Sequence, residues 1–169
     1  MLNKNIQKLV FAALLGALTF CATWISVPTG IGNVNLGDGI LLLGAWTLGG
    51  PWSVLACALG ATLTDVVGGY AIYAPATLII KALMGIVALL VYKLFARVSS
   101  LLRYLLSGVA AELVMIAGYF IYEAFVLSFG FAALTSIPFN AIQGAIAVIV
   151  ALIIHKILEK AKLTKLFSE

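Results

Sequence analysis

Charge is what this sequence has least of. Only 9% of its 169 residues are Asp, Glu, Lys or Arg, while 64% are hydrophobic. A soluble domain carries about 25% charged residues, so the apolar excess has no place to go except lipid. Polar linkers and low-complexity stretches are also lacking. At about 20 residues per span, the chain divides into six transmembrane helices forming a single membrane domain over 1–169. No G-x-x-x-x-G-K-[ST] loop occurs, which excludes ATP hydrolysis through a P-loop. No G-x-S-x-G elbow or other nucleophile–base pair stands out, so no enzyme and no cofactor are expected. The lone histidine, His155, has no H-E-x-x-H context and reads as a headgroup-level residue rather than a metal ligand. Both cysteines, Cys21 and Cys57, fall in apolar runs and read as small hydrophobes. A channel would need several copies of so short a chain.

What charge there is has a pattern. The net charge of +4 does not mark a nucleic-acid partner, because the basic residues sit at segment ends rather than in one patch. Glycine, proline and polar breakers place the helices at about 6–27, 38–48, 51–67, 75–95, 104–127 and 135–158. The Met1–Gln7 stretch could pass for a signal-peptide n-region, but the apolar run continues to Val27 and reads as a retained first helix. Lys4 and Lys8, then Lys93, Arg97 and Arg103, then Lys156, Lys160, Lys162 and Lys165 all fall on alternate, cytoplasmic ends. The loops near Pro28–Gly37, Gly68–Ala74 and Ser128–Leu134 have no Lys or Arg. This asymmetry places both termini in the cytoplasm. The loop Pro28–Gly37 is too rich in Gly and Asn for a helix, and Asp38 stands where it can cap the next one.

Each charge at bilayer depth costs at least about 2.5 kcal/mol and asks for a reason. Asp65, Lys81, Glu112 and Glu123 lie in or near spans. All but Glu112 fall toward the outer ends, with Asp38 at the mouth of a span. Asn140 and Gln143 are three apart and share one helical face. The plain alternative is that these groups pair with one another, Lys81 with Asp65 for instance, and pin helices together. Tyr70, Tyr73, Tyr119, Tyr122 and Trp24 accompany them. An interfacial belt explains Trp24 and Tyr73, whereas Tyr119 with Glu123, and Trp24 with Pro28, are spaced to line a cavity. Aromatic walls with a few amide and charged groups suit a small, planar, polar molecule. In the first helix, Ala12-x-x-x-Gly16 and Ala13-x-x-x-Ala17 let another helix approach closely.

Taken in order, these pieces resemble the substrate-binding S component of energy-coupling-factor (ECF) vitamin transporters. The resemblance rests on Ala13-x-x-x-Ala17 and on Asn35-Leu-Gly37-Asp38-Gly39. It rests also on Pro138-Phe-Asn140-Ala-Ile-Gln143-Gly144, which is similar to the family's P-x-N-x-x-[KQ]-G pattern. It implies a multi-pass subunit of a prokaryotic cell membrane. The small-residue face Ala12, Ala13, Gly16 and Ala17 would dock on a transmembrane coupling subunit (EcfT-like) driven by two ATPase subunits. The loop Pro28–Gly37 and the loop near Tyr70 would close over a vitamin-like substrate. Asn140 and Gln143 would hydrogen-bond its ring, with Asn35, Asp65, Tyr70, Lys81, Glu112, Tyr119 and Glu123 as further contacts. The chain is most similar in general look to the pyridoxine or hydroxymethylpyrimidine subgroup, with riboflavin and queuosine precursors as further options. Gln143 departs from the lysine of riboflavin-type members. A self-sufficient carrier with a coupling proton on Asp65 or Glu112, and a small membrane enzyme or assembly protein, are the other readings of the same residues.

Overall fold

Apolar runs and their breakers set the helices. The structure, a computed structural model, describes residues 4–28 and 33–163. The start of the basic N-terminus (residues 1–3), the tip of the first outer loop (residues 29–32) and Lys165 lie outside these. Helix α1 (Lys4–Trp24) is followed by a two-stranded antiparallel hairpin, β1 (Ser26–Pro28) and β2 (Asn33–Asn35). Then come α2 (Gly37–Thr47), α3 (Pro51–Val67), α4 (Ala74–Leu94), α5 (Ser100–Ile121) and α6 (Ser136–Lys160). The turn into α3 needs glycine: Gly49 and Gly50 have φ of 55° and 111°, a region that side chains disfavour. Pro51 then opens the helix where no N–H is required.

Three boundaries differ from the sequence reading. α1 stops at Trp24 because the β-branched pair Val27 and Val34 zips the hairpin instead. α5 begins a turn early, at Ser100, so Arg103 lies in its first turn. It also ends early, widening into a π turn at Tyr122–Val126 before a 3-10 turn at Gly130–Thr135.

Helices α1, α4, α5 and α6 are long and apolar enough to cross a membrane. α3, at 17 residues, is shorter. α2 has 11 residues, about 16 Å at 1.5 Å each, roughly half the hydrocarbon thickness. It is surrounded by α1, α3, α4 and α6, and nine of its residues are buried. Backbone that departs from a full span is tolerated inside a bundle because protein, not lipid, meets its polar groups. Leu41, Leu42, Trp46, Met84 and Met115 form the centre of the core. Leu59, Leu90, Leu113 and Ile149 point outward, as lipid-facing residues must.

α1 and α3 come unusually close. A Cβ at Gly60 would sit 2.2 Å from the Gly16 carbonyl oxygen. Ala12 and Gly16 are buried in this seam, and with Ala13 and Ala17 they line an apolar groove between α1 and α3. Ala12 and Gly16 turn toward α3, whereas Ala13 and Ala17 remain exposed. The inner end is closed by an aromatic cluster. The Trp46 indole donates to Ser107 (2.9 Å), which donates to the Ala88 carbonyl (2.8 Å). His155 is buried there, 4.5 Å from the Tyr104 ring and 6.2 Å from Trp46 between centroids. It is therefore an interior residue rather than a headgroup-level one, because its face of α6 looks into the bundle. Arg103 covers the Tyr92 ring at 3.5 Å.

The Gly16–Gly60 contact leaves no space for a methyl group. Gly60→Ala is expected to destabilise the protein by about 1–3 kcal/mol, read as a lower melting temperature in detergent.

Candidate functional site

The chain alternates direction, so the hairpin, the start of α2, the α3–α4 turn and the α5–α6 connection share the end without lysine or arginine. Between them opens a cavity of about 450 Å3, within the range that encloses a small organic molecule.

Its floor is a polar network. Asp38, in the first turn of α2, forms an ion pair with Lys81 of α4, both nearly inaccessible to solvent. The other Asp38 oxygen accepts a hydrogen bond from the Gln143 amide of α6 at 2.6 Å. Gln143 Oε1 accepts the Asn35 backbone N–H (2.9 Å), and Asn35 Oδ1 accepts the Gly37 N–H (2.9 Å). Asp38 makes no capping bond. Its carboxylate turns inward to a lysine, where donor and acceptor both carry charge. The expected Lys81–Asp65 pair is likewise corrected to Lys81–Asp38. The Lys81 ammonium also lies 5.4 Å from the Tyr119 ring centroid.

The walls are aromatic and acidic. Tyr73 lies 6.5 Å from Tyr119 and 5.9 Å from Tyr122 between ring centroids. Thr77 and Tyr119 share a hydrogen bond of 3.0 Å. Burial, reinforced by the nearby Glu123, pushes the Tyr73 phenol up to about 12, so it stays a neutral donor. Glu123, in the π turn, accepts a hydrogen bond from the Ser136 hydroxyl. Asp65 stands near Thr77.

Most of the residues singled out in the sequence meet here. Asn35, Asp65, Tyr70, Lys81, Tyr119, Glu123, Asn140 and Gln143 all line the cavity. Trp24 and Tyr73, explained above as a belt, line it too. Glu112 does not: it is 5% exposed, and neither carboxyl oxygen has a hydrogen-bond partner. Its side chain lies against Gly144 of α6. Thr23, Asn33, Thr64 and Thr77 were missed. Thr77 could have been found, since it lies one turn before Lys81 on the same helical face. Thr23 had no signal, because its position follows from how α1 seats on α3. Among the described residues no group of His, Cys, Asp and Glu could hold a metal ion.

Removing one partner of a buried ion pair strands the other. Lys81→Met should cost about 3–5 kcal/mol of stability, and Asp38→Leu/Lys81→Met should recover most of it. Thermal unfolding of the two variants checks this, and equal melting temperatures would sink the idea.

Comparison with known proteins agrees with this architecture. No curated protein matches the chain. A solved structure of the S component of a bacterial ECF transporter superposes with a TM-score of 0.70 at 21% identity, covering 92% of this chain and 97% of that one. At that identity the likeness shows a shared fold. The model of the family described as ECF-type riboflavin transporter, S component, matches residues 3–160. S components are integral proteins of the prokaryotic cytoplasmic membrane, not enzymes, and they bind a vitamin while associated with a coupling subunit (EcfT) and ATPases. With nearly its whole length matched, this chain belongs to that family of ECF transporter S components.

Proposed function

We propose that the cavity at the outer end is where the vitamin is captured, and that the vitamin is a compact heteroaromatic alcohol or amine of the pyridoxine or hydroxymethylpyrimidine kind. The observation that carries this reading is one wall set combining Tyr70, Tyr73 and Tyr119 with Asp65, Glu123 and Asn140. Flat rings stack against such walls, while carboxylates and an amide accept or donate hydrogen bonds at a ring's edge. Asn140 is half-buried on the cavity face of α6. Gln143 has one N–H and one acceptor position left after binding Asp38 and Asn35, so its main part is to hold the floor. Riboflavin is the second reading, favoured by the description of the matched family. Queuosine precursors have no specific support here.

Ala13 and Ala17, left exposed on α1, form the surface we assign to the coupling subunit. They border an apolar groove shared with Leu55, Leu59 and Leu63 of α3. Small residues on a lipid-facing helix let a partner helix approach closely. Family membership also removes the need for a coupling proton on Asp65 or Glu112, because the ATPases supply the energy.

Two outcomes follow. Asn140→Ala should weaken ligand binding by about tenfold, one lost hydrogen bond, without lowering the melting temperature. Ala13→Trp or Ala17→Trp should leave binding intact but stop uptake by the assembled transporter. Normal uptake by both tryptophan variants would refute the docking surface.

A further inference from the structure

The charges around the cavity do not balance. Among the described residues lining it, Lys81 is the one cation, and it is already held by Asp38 and covered by the Tyr119 face. Two carboxylates remain without a cationic partner, Asp65 on α3 and Glu123 after α5. Asp65 and Glu123 come from different elements, and both stand beside the start of α4, through Thr77 and Tyr73 respectively. Polar valences are left open as well. Asp65 Oδ2 and Thr23 Oγ1 are both shielded from solvent and have no hydrogen-bond partner. Such groups are rare in folded proteins because each unmade bond is costly. Here both belong to residues that line the same cavity. The Thr64 hydroxyl, next to Asp65, reaches the Phe20 carbonyl of α1 at 3.2 Å, so the α1–α3 seam brings these elements together.

A carboxylate oxygen that is shielded from solvent and has an open acceptor position is best met by a positively charged donor, since charge-assisted hydrogen bonds are about twice as strong as neutral ones. A substrate phosphate or carboxylate meets the opposite situation. At Lys81 it would meet an ammonium whose charge Asp38 already offsets, and it would face Asp65 and Glu123 as like charges.

We propose that Asp65 and Glu123, with Thr23, make the cavity selective for an unphosphorylated heterocycle that carries a protonated amino group on a side arm. This deepens the capture reading above and rests on it. The transporter then delivers the unphosphorylated compound, and any phosphorylated form must be made afterwards by a phosphotransfer reaction inside the cell.

The full chain in lipid nanodiscs can be titrated calorimetrically with pyridoxamine, pyridoxine, pyridoxamine phosphate and riboflavin. Pyridoxamine and pyridoxine differ by an amine in place of a hydroxyl. The amine should bind at least about tenfold tighter, and the phosphate should not compete. Asp65→Asn, Glu123→Gln and Thr23→Val should each shrink the preference for the amine. Thr23→Val serves where a carboxylate variant folds poorly, because Thr23 Oγ1 has no internal bond to lose. Equal affinity for amine and alcohol, or binding of the phosphate as tight as that of the free amine, overturns the proposal. The Asn140→Ala variant separates the two levels. If it weakens binding while the charge variants change no preference, the cavity is the site and the charge inference fails. If it has no effect on a ligand that binds, the capture reading fails. Failure of all four ligands to bind overturns both.

Discussion

The buried contact between Asp38 and Lys81 is the constraint around which the outer half of the molecule is organised. It joins the first turn of α2 to the second turn of α4, and Gln143 extends it to α6 and through Asn35 to the hairpin. Four elements distant in sequence are thus fixed by one carboxylate with both oxygens engaged. An ion pair in this position is weak support for stability as such, because taking two charges out of water offsets most of their attraction. Its stronger effect is on geometry. The carboxylate and ammonium satisfy each other at one relative placement of α2 and α4, whereas apolar side chains would tolerate many. The cavity sits directly above this network, so its shape is inherited from the pair.

The two ends of the bundle are built on opposite principles. The inner end is filled: Tyr104 packs against Trp46, His155 and Tyr92, and Ser107 accepts the indole N–H hydrogen bond. The outer end is left open, with residues of the hairpin, the α3–α4 turn, α5 and α6 lining the cavity. Beneath the hairpin stands α2, an 11-residue helix among longer ones. Its cost in backbone exposure is small, since α2 is enclosed by α1, α3, α4 and α6.

Much of this was legible in the sequence for physical reasons. Lipid forces long apolar runs, so Gly49-Gly50-Pro51 and Pro75 had little choice but to be turns or helix starts. The penalty on intramembrane charge likewise guaranteed that Lys81 and its acids would gather somewhere. Which acid met Lys81 was not legible. Asp65 and Asp38 are both near the outer ends of spans, and only the three-dimensional placement of α2 beside α4 selects Asp38. The small-residue helix face was ambiguous for a related reason. Ala12, Ala13, Gly16 and Ala17 have equivalent sequence signatures, yet a rotation of one residue about the helix axis, about 100°, sends one pair toward α3 and the other outward. Glu112 reads in the sequence as lying away from the outer end. That its side chain packs against Gly144 and does not line the cavity depends on how α5 seats on α6, which the sequence does not show. The π turn at Tyr122–Val126 shows the same limit, since nothing in an apolar run announces a widened turn.

The distribution of charge also bears on how such a subunit can move in a membrane. The outer loops have no lysine or arginine, and two of the acids at this end are turned inward: Asp38 is 1% exposed and Glu123 3%, while Asp65 is partly buried. A charge presented to hydrocarbon costs at least about 2.5 kcal/mol, so an end whose charges are already wrapped in protein resists a change of depth far less. A protonated guest would lower that resistance further by neutralising one of the two unmatched carboxylates inside the cavity. The same cationic nitrogen that completes the site would thus make the loaded outer end closer to electrically neutral than the empty one. The basic residues at the other end oppose any such displacement and hold it against the cytoplasmic face.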